Sequence, residues 1–376
     1  MTTLDATLTL QAPPATFGAG LAEPPTREVQ YQYSHGFAPI LAGLRTSLLV
    51  STYQAGKLVT VGVRDGELTF SFHNFERAMG VAVRHDRLAV GSRAQVWFLD
   101  AAPSIVPRLE PPGRHDACFL TRTSRYTGEI QCHELAWAGD DLWAVNTAFS
   151  CLCTLHPDHS FEPRWRPPFV STIAPEDRCH LNGLAMADGA PRYVTVLAET
   201  DAPQGWRPVK ATGGCLIDVP SGETVARGFA MPHSPRVHGG RVWVLHSGTG
   251  RLVLVDPATG RYDDVAQLPG YTRGLAMAGQ YAFVGLSKIR ETSIFGGVPI
   301  AERRDELKCG VGAIDLRTGR LAAHLEFVTG VDEIFDVVTL PGSLDPLLSG
   351  PHPELDGGQP IWTVPTPDPL SRAAPG

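Results

Sequence analysis

The chain has 376 residues, 43% of them hydrophobic, with 39 Gly, 32 Pro and a formal net charge of −7. Such a composition suits a turn-rich globule with a large core, and the scattered Lys and Arg argue against nucleic acid or an anionic membrane as partner. No run of 18 apolar residues occurs, and the opening MTTLDATLTLQAPPATF has neither a basic start nor an apolar core, so a cytoplasmic protein is expected.

Residues 1–27 are Pro-rich and lack periodicity, and are expected to form a disordered arm. A single domain is expected over 28–345, followed by a Pro/Gly-rich tail at 346–376. Neither 1–25 nor 350–376 has a pattern that would bury a face. Glu28 to Tyr33 reads as a stray edge strand. Phe37, Ile40, Leu41 and Leu44 recur at helical spacing and predict one short helix. Strands are expected at Ser47–Tyr53, Lys57–Val63 and Leu68–Phe72.

From Met79 onward one unit recurs, and its clearest copy is MPHSPRVHGGRVWVLHSGTGRLVLVDPATGRY, residues 231–262. Four antiparallel strands separated by glycine turns in about 35 residues are the pattern of a propeller blade. Aligned on Val83, Trp137, Met186, Val237, Met277 and Val337, the inner strands begin at Met79, His133, Asn182, His233, Arg273 and Glu333. Three outer hairpins share an Asp-x-x-(Ser/Thr)-Gly turn, at Asp218, Asp256 and Asp315. The last inner strand, Glu333–Leu340, has no partners after it, while the trio at 47–72 lacks an inner strand. Joining them predicts an all-β, six-bladed β-propeller closed by both ends of the chain. A strand in place of the helix at 37–44 would make seven blades.

The strand starts carry the chemistry. Gly80, Gly183 and Gly274 follow them where blades crowd the axis. The starts themselves bring two His, Glu, Asn and Arg to one channel mouth, with Met79 as the apolar sixth member. Imidazole and carboxylate together suit a divalent metal: His133, His233 and Glu333 as ligands, with Asn182 completing the shell. Arg273 suits an anionic oxygen of a ligand, and His180 is a candidate acid/base or further ligand. The plain alternative is that a wet channel mouth tolerates polar side chains. Long connections at Pro111–Cys132, Arg166–His180, Glu199–Thr212 and Ser287–Lys308 open on the same face. Second-to-third-strand turns open there as well and would bring Tyr53, Gln54, Lys57, Asn146 and His246 as substrate contacts. The opposite mouth is expected to carry no comparable cluster.

Other constellations fit less well. Cys132-His133 with Cys179-His180 lacks finger spacing, and adjacent strand residues point to opposite sides. Cys151-x-Cys153 lacks the two-residue gap of redox and zinc motifs. The seven cysteines fit reduced thiols better than a disulfide framework. His233-Ser234 and His246-Ser247 lie in no nucleophile elbow, and no Walker A or dinucleotide fingerprint occurs.

The stretches STYQAGKLVTVG (51–62), FERAMGVAV (75–83), GEIQCHELAW (128–137), CHLNGLAM (179–186), MPHSPR (231–236), VLHSGTGRL (244–252) and VDEIFDV (331–337) resemble a bacterial family of conserved hypothetical proteins with propeller-like architecture. That family implies the fold and no reaction. More remotely, the layout is similar to the gluconolactonase and senescence-marker-protein propellers, which hold a divalent metal with Glu and Asn/Asp. Only Glu333 and Asn182 match that chemistry, and the two His favour Zn, Mn or Fe over Ca. The expectation is a metal-dependent enzyme that hydrolyses, or eliminates from, a small oxygenated substrate of the lactone or sugar-acid class. Two His and a carboxylate also suit non-haem iron. The alternative is a non-catalytic propeller that holds a peptide or carbohydrate on its loop-rich face.

Overall fold

The computed structural model describes residues 3–9, 28–289 and 296–364. Six small antiparallel sheets stand around one axis as the blades of a propeller. Blade 1 joins the chain ends: Asp336–Pro341 lies innermost, paired with Thr46–Thr52, which leads to Lys57–Arg64 and Glu67–Asn74. The inner strands of blades 2 to 6 are Val81–Arg84, Cys132–Ala138, Leu181–Ala187, Pro232–His238 and Tyr271–Ala278. Ring closure therefore uses the two segments expected from sequence, in the register Asp336↔Ser51 to Pro341↔Thr46. The helix Phe37–Leu44 is present and buries Phe37, Ala38 and Leu41, so the count is six.

Both ends of the chain do more than the sequence suggested. Glu28–Ser34 extends blade 6 by pairing with Arg320–Phe327, and Thr3–Thr9 pairs with it in turn. The rest of the arm expected at 1–27 lies outside the described residues. In the segment read as a tail, Leu347–Ser349 pairs in parallel with the strand Cys118–Tyr126 on the edge of blade 2. Beyond it, the Asp356 carboxylate accepts hydrogen bonds from the backbone N–H and the side-chain amide of Asn74, both at 2.7 Å. Short polar contacts therefore dock this segment, where a search for alternating apolar residues finds nothing.

The axis is where the blades meet, and a three-fold alternation governs it. Bulges interrupt the inner-strand register in blades 3, 4, 5 and 6 and free backbone groups from the ladder. Odd blades place Asp336, Glu134 and Ser234 at equivalent points; even blades place Gly80, Gly183 and Gly274 against them. A Cβ on Gly80 would lie 2.7 Å from Glu134 Cα, one on Gly183 3.0 Å from Ser234 N, and one on Gly274 2.5 Å from Val337 N. Each odd-blade side chain also accepts a backbone N–H from the next even blade. Val81 donates to Asp336 at 2.9 Å, Leu184 to Glu134 at 2.8 Å and Gly274 to Ser234 at 3.1 Å. All six blades are thus linked through one polar girdle.

Two outcomes test this arrangement. Gly274 has φ +79° and lies against the blade 1 backbone. Gly274→Ala combines left-handed strain with overpacking and should cost about 2–5 kcal/mol in denaturant unfolding. Asp356→Ala leaves the Asn74 backbone N–H unmet and its side-chain amide with the Leu355 carbonyl alone, and should cost about 1–3 kcal/mol, measured in the same way. No loss in the second case would mean that the C-terminal segment does not dock.

Candidate functional site

The girdle corrects the alignment of the last blade. Because Asp336 is the equivalent of Glu134 and Ser234, the equivalent of His133 and His233 is Phe335, not Glu333. The residues from Val331 to Phe335 form an irregular approach outside the strand, with the Ile334 N–H bonded to Ser287 Oγ and the Phe335 N–H to Ser51 O. The true ring at the mouth is Met79, His133, Asn182, His233, Arg273 and Phe335.

A cavity of about 430 Å³ opens at this mouth, and every ring member except Asn182 lines it. Glu333 reaches it from the approach loop, and His180, Tyr53 and Gln54 line it as expected. Four expected residues are elsewhere. Asn182 Oδ1 accepts the Thr195 hydroxyl at 2.7 Å, so this side chain serves the blade interior. Lys57 donates to Asn74 Oδ1 at 2.6 Å beside the C-terminal segment. The Asn146 carbonyl oxygen caps the Phe149 N–H, and His246 Nε2 accepts the Ala230 N–H between Phe229 and Tyr262. Asn146 and His246 sit at strand ends, where backbone donors compete for a polar side chain, while Asn182 and Lys57 take side-chain partners on neighbouring strands.

His133 and His233 are held by one device used twice. Two residues before each stands a residue in the left-handed region, Gln131 at φ +52° and Met231 at φ +48°. Their carbonyls meet the imidazole Nδ1 at 3.1 Å and 2.9 Å. A hydroxyl just past the second strand, Thr147 or Ser247, meets the same nitrogen at 2.7 Å and 3.1 Å. A carbonyl can only accept, so Nδ1 carries the proton and Nε2 keeps its lone pair for the cavity. Burial, then the charge of Arg273, holds both imidazoles well below the usual histidine range, so both are neutral at pH 7. The two rings are 6.5 Å apart between centroids, and His133 lies 5.0 Å from His180.

His180 has a partner that the sequence reading missed. Both carboxylate oxygens of Asp177 lie 3.0 Å from its Nδ1, and the Trp206 indole N–H donates to Asp177 at 3.0 Å. Asp177 and His180 both have positive φ, +46° and +50°, a strained pair at the cavity wall. The signal in sequence is the D-x-x-H spacing before the strand, which acquires meaning only once the loop is seen to turn.

Arg273 is 12% exposed at its side chain, lies 3.4 Å over the Phe335 ring and pairs with Glu333 at 3.2 Å. Glu333 is thereby engaged with a cation, and the expected shell of His133, His233, Glu333 and Asn182 is not assembled. Among the described residues no three His, Cys, Asp or Glu side chains are gathered to hold a metal ion.

The opposite mouth is not bare, contrary to expectation. Arg236 pairs there with Glu134 and donates to the Leu275 carbonyl at 2.7 Å, with Asp336 close by in the girdle. Burial pushes the Glu134 carboxyl up to about 7 against the pull of Arg236. These side chains serve the girdle: all are tied to backbone groups of neighbouring blades.

The buried imidazoles make stability depend on pH. Their folded values lie below the ordinary 6.5, so their contribution is complete above about pH 6.5 and is lost as the pH falls below it. Replacing His233 by Asn should flatten the fall in stability between pH 6.5 and 4.5 relative to wild type. Parallel pH profiles of unfolding free energy would overturn that assignment.

No helix among the described residues is long and apolar enough to cross a membrane. The solved structure of a nidogen/laminin complex contains a chain similar in fold, with a TM-score of 0.50 at 10% identity, over 79% of this chain and 99% of that one. A protein of unknown function from Bacteroides caccae gives 0.48 at 12% identity, over 78% and 98%. No curated protein matches the sequence. Residues 35–348, the whole ring, match the family described as domain of unknown function DUF4915, and the chain belongs to that family.

Proposed function

We propose that the cavity is the active site of an enzyme that hydrolyses, or eliminates from, a small oxygenated substrate of the lactone or sugar-acid class. The observation that carries this reading is the Asp177–His180 pair set in one cavity with Arg273. His180 Nε2 takes a proton from water or from a carbon next to a carbonyl, and Asp177 stabilises the imidazolium that forms. Arg273 receives the oxyanion or carboxylate, its guanidinium shielded from water by Phe335 and balanced by Glu333. In hydrolysis the hydroxide adds to the acyl carbon and the imidazolium returns its proton to the leaving oxygen. In elimination the same proton leaves with the β-oxygen. Lactones and sugar acids are chosen because each presents a carbonyl or carboxylate oxygen to Arg273 beside the base.

A divalent metal, Zn, Mn or Fe, belongs to a second reading, supported by one feature. His133 and His233 have Nδ1 anchored and Nε2 free for the cavity, the arrangement of imidazole ligands with an outer shell. The metal would act there as a Lewis acid. One equivalent in protein purified without chelator, lost in His133→Ala with the fold intact, would establish it.

With a panel of aldonolactones and sugar acids, turnover is expected, and Asp177→Asn should lower kcat by roughly 10²–10⁴-fold. Substrate binding should persist in that variant, since the amide keeps the size of the carboxylate at the cavity wall. Binding across the panel with no turnover in wild type would favour the alternative class, a non-catalytic propeller for a carbohydrate or peptide.

A further inference from the structure

Two imidazoles of the cavity, His133 and His233, share one protonation pattern, and that pattern restricts the ligand. Nδ1 of each faces an obligate acceptor, the Gln131 carbonyl and the Met231 carbonyl respectively. Burial beside Arg273 keeps His133 and His233 neutral, so each of these two offers an unprotonated Nε2 to the cavity, and no described residue donates to either. Arg273 has the opposite surplus. Of the donors of its guanidinium, one makes a hydrogen bond to a described residue, that to Glu333. A nearly enclosed cation with donors to spare and two acceptors without donors line the same space.

We propose that the natural ligand is a polyhydroxy carboxylate: an anionic carboxylate taken by Arg273, with neighbouring hydroxyl groups that donate to Nε2 of His133 and His233. This rests on the reading of the cavity as the functional site, and it names the substrate class within that reading. Unmet polar groups in a dry site cost as much as the bonds they forgo, so each alternative class fails on a named group. A neutral sugar leaves the Arg273 donors unused. An aliphatic carboxylate leaves the imidazole lone pairs dry. A phosphate dianion brings acceptors to acceptors, and the imidazoles would have to be protonated beside Arg273 to receive it. The volume of about 430 Å³ suits a molecule of sugar size.

Two measurements on the intact chain decide the matter. Two-bond ¹H–¹⁵N spectra at pH 7 should give Nδ1–H tautomers for His133 and His233, and Nε2–H tautomers would overturn the proposal whatever the binding data. Calorimetry with D-gluconate, D-glucose, hexanoate and inorganic phosphate as probes should give at least tenfold tighter binding for gluconate than for the other three. Arg273→Met should erase that preference over glucose. Hexanoate or phosphate binding as tightly as gluconate, or a preference unchanged in Arg273→Met, would sink it. The two readings fail separately. Gluconate preference without turnover on any lactone or sugar acid removes the enzyme and keeps this ligand class. Turnover of neutral lactones with no carboxylate preference keeps the enzyme and removes the ligand class.

Discussion

The alternation of glycine and acceptor side chain around the axis is the constraint on which the rest of the molecule depends. Six inner strands cannot all carry side chains at the same height on a ring this narrow. The chain resolves the crowding by pairing Gly80 with Glu134, Gly183 with Ser234 and Gly274 with Asp336. The bulges that make room also release N–H groups, and the same odd-blade side chains receive them. Steric fit and hydrogen-bond satisfaction are therefore solved by one set of residues. Arg236 completes the set by joining the carbonyls of Leu184 and Leu275 to Glu134.

The position of the site follows from the girdle. Except for Asn182 before Gly183, the residue immediately before each girdle member reaches the cavity: Met79 before Gly80, His133 before Glu134, His233 before Ser234, Phe335 before Asp336, Arg273 before Gly274. The left-handed residues that precede His133 and His233 aim carbonyls at their Nδ1, so backbone strain is used to set the protonation of a side chain. Arg273 reinforces that setting, because its charge and the burial both oppose protonation of the imidazoles. The cavity is in this way a fixed electrostatic surface, with acceptors and donors assigned before any ligand arrives.

Much of the fold was legible in the chain. Blade repeats, the Asp-x-x-(Ser/Thr)-Gly turns, the helix at Phe37–Leu44 and the pairing of the last inner strand with the segment near Ser47 all arise from local pattern. Periodicity and turn chemistry act over a few residues, and a repeat multiplies the signal. The termini were read less well. Leu347–Ser349 and Asp356 dock through a short parallel pairing and one carboxylate, which leave no periodic trace.

At the site, the sequence by itself determined which residue types stand at the strand starts and that His133, His233, Arg273 and His180 would meet. Equivalent positions in a repeat are aimed at one axis by symmetry, so alignment was sufficient for His133, His233 and Arg273, while His180 follows from its place two residues before Asn182. Only the tertiary structure decided that Phe335, and not Glu333, holds the last place in the ring. Apolar alignment cannot see the irregular approach that shifts this blade by two residues, whereas contact of Asp336 with the backbone beside Gly274 does. The structure likewise decided that Asn182, Asn146, His246 and Lys57 turn away to bond with groups distant in the chain or around a turn. It also supplied Asp177 to His180. A polar side chain takes the partner that burial leaves it, and that choice is made by packing rather than by the chain's local pattern.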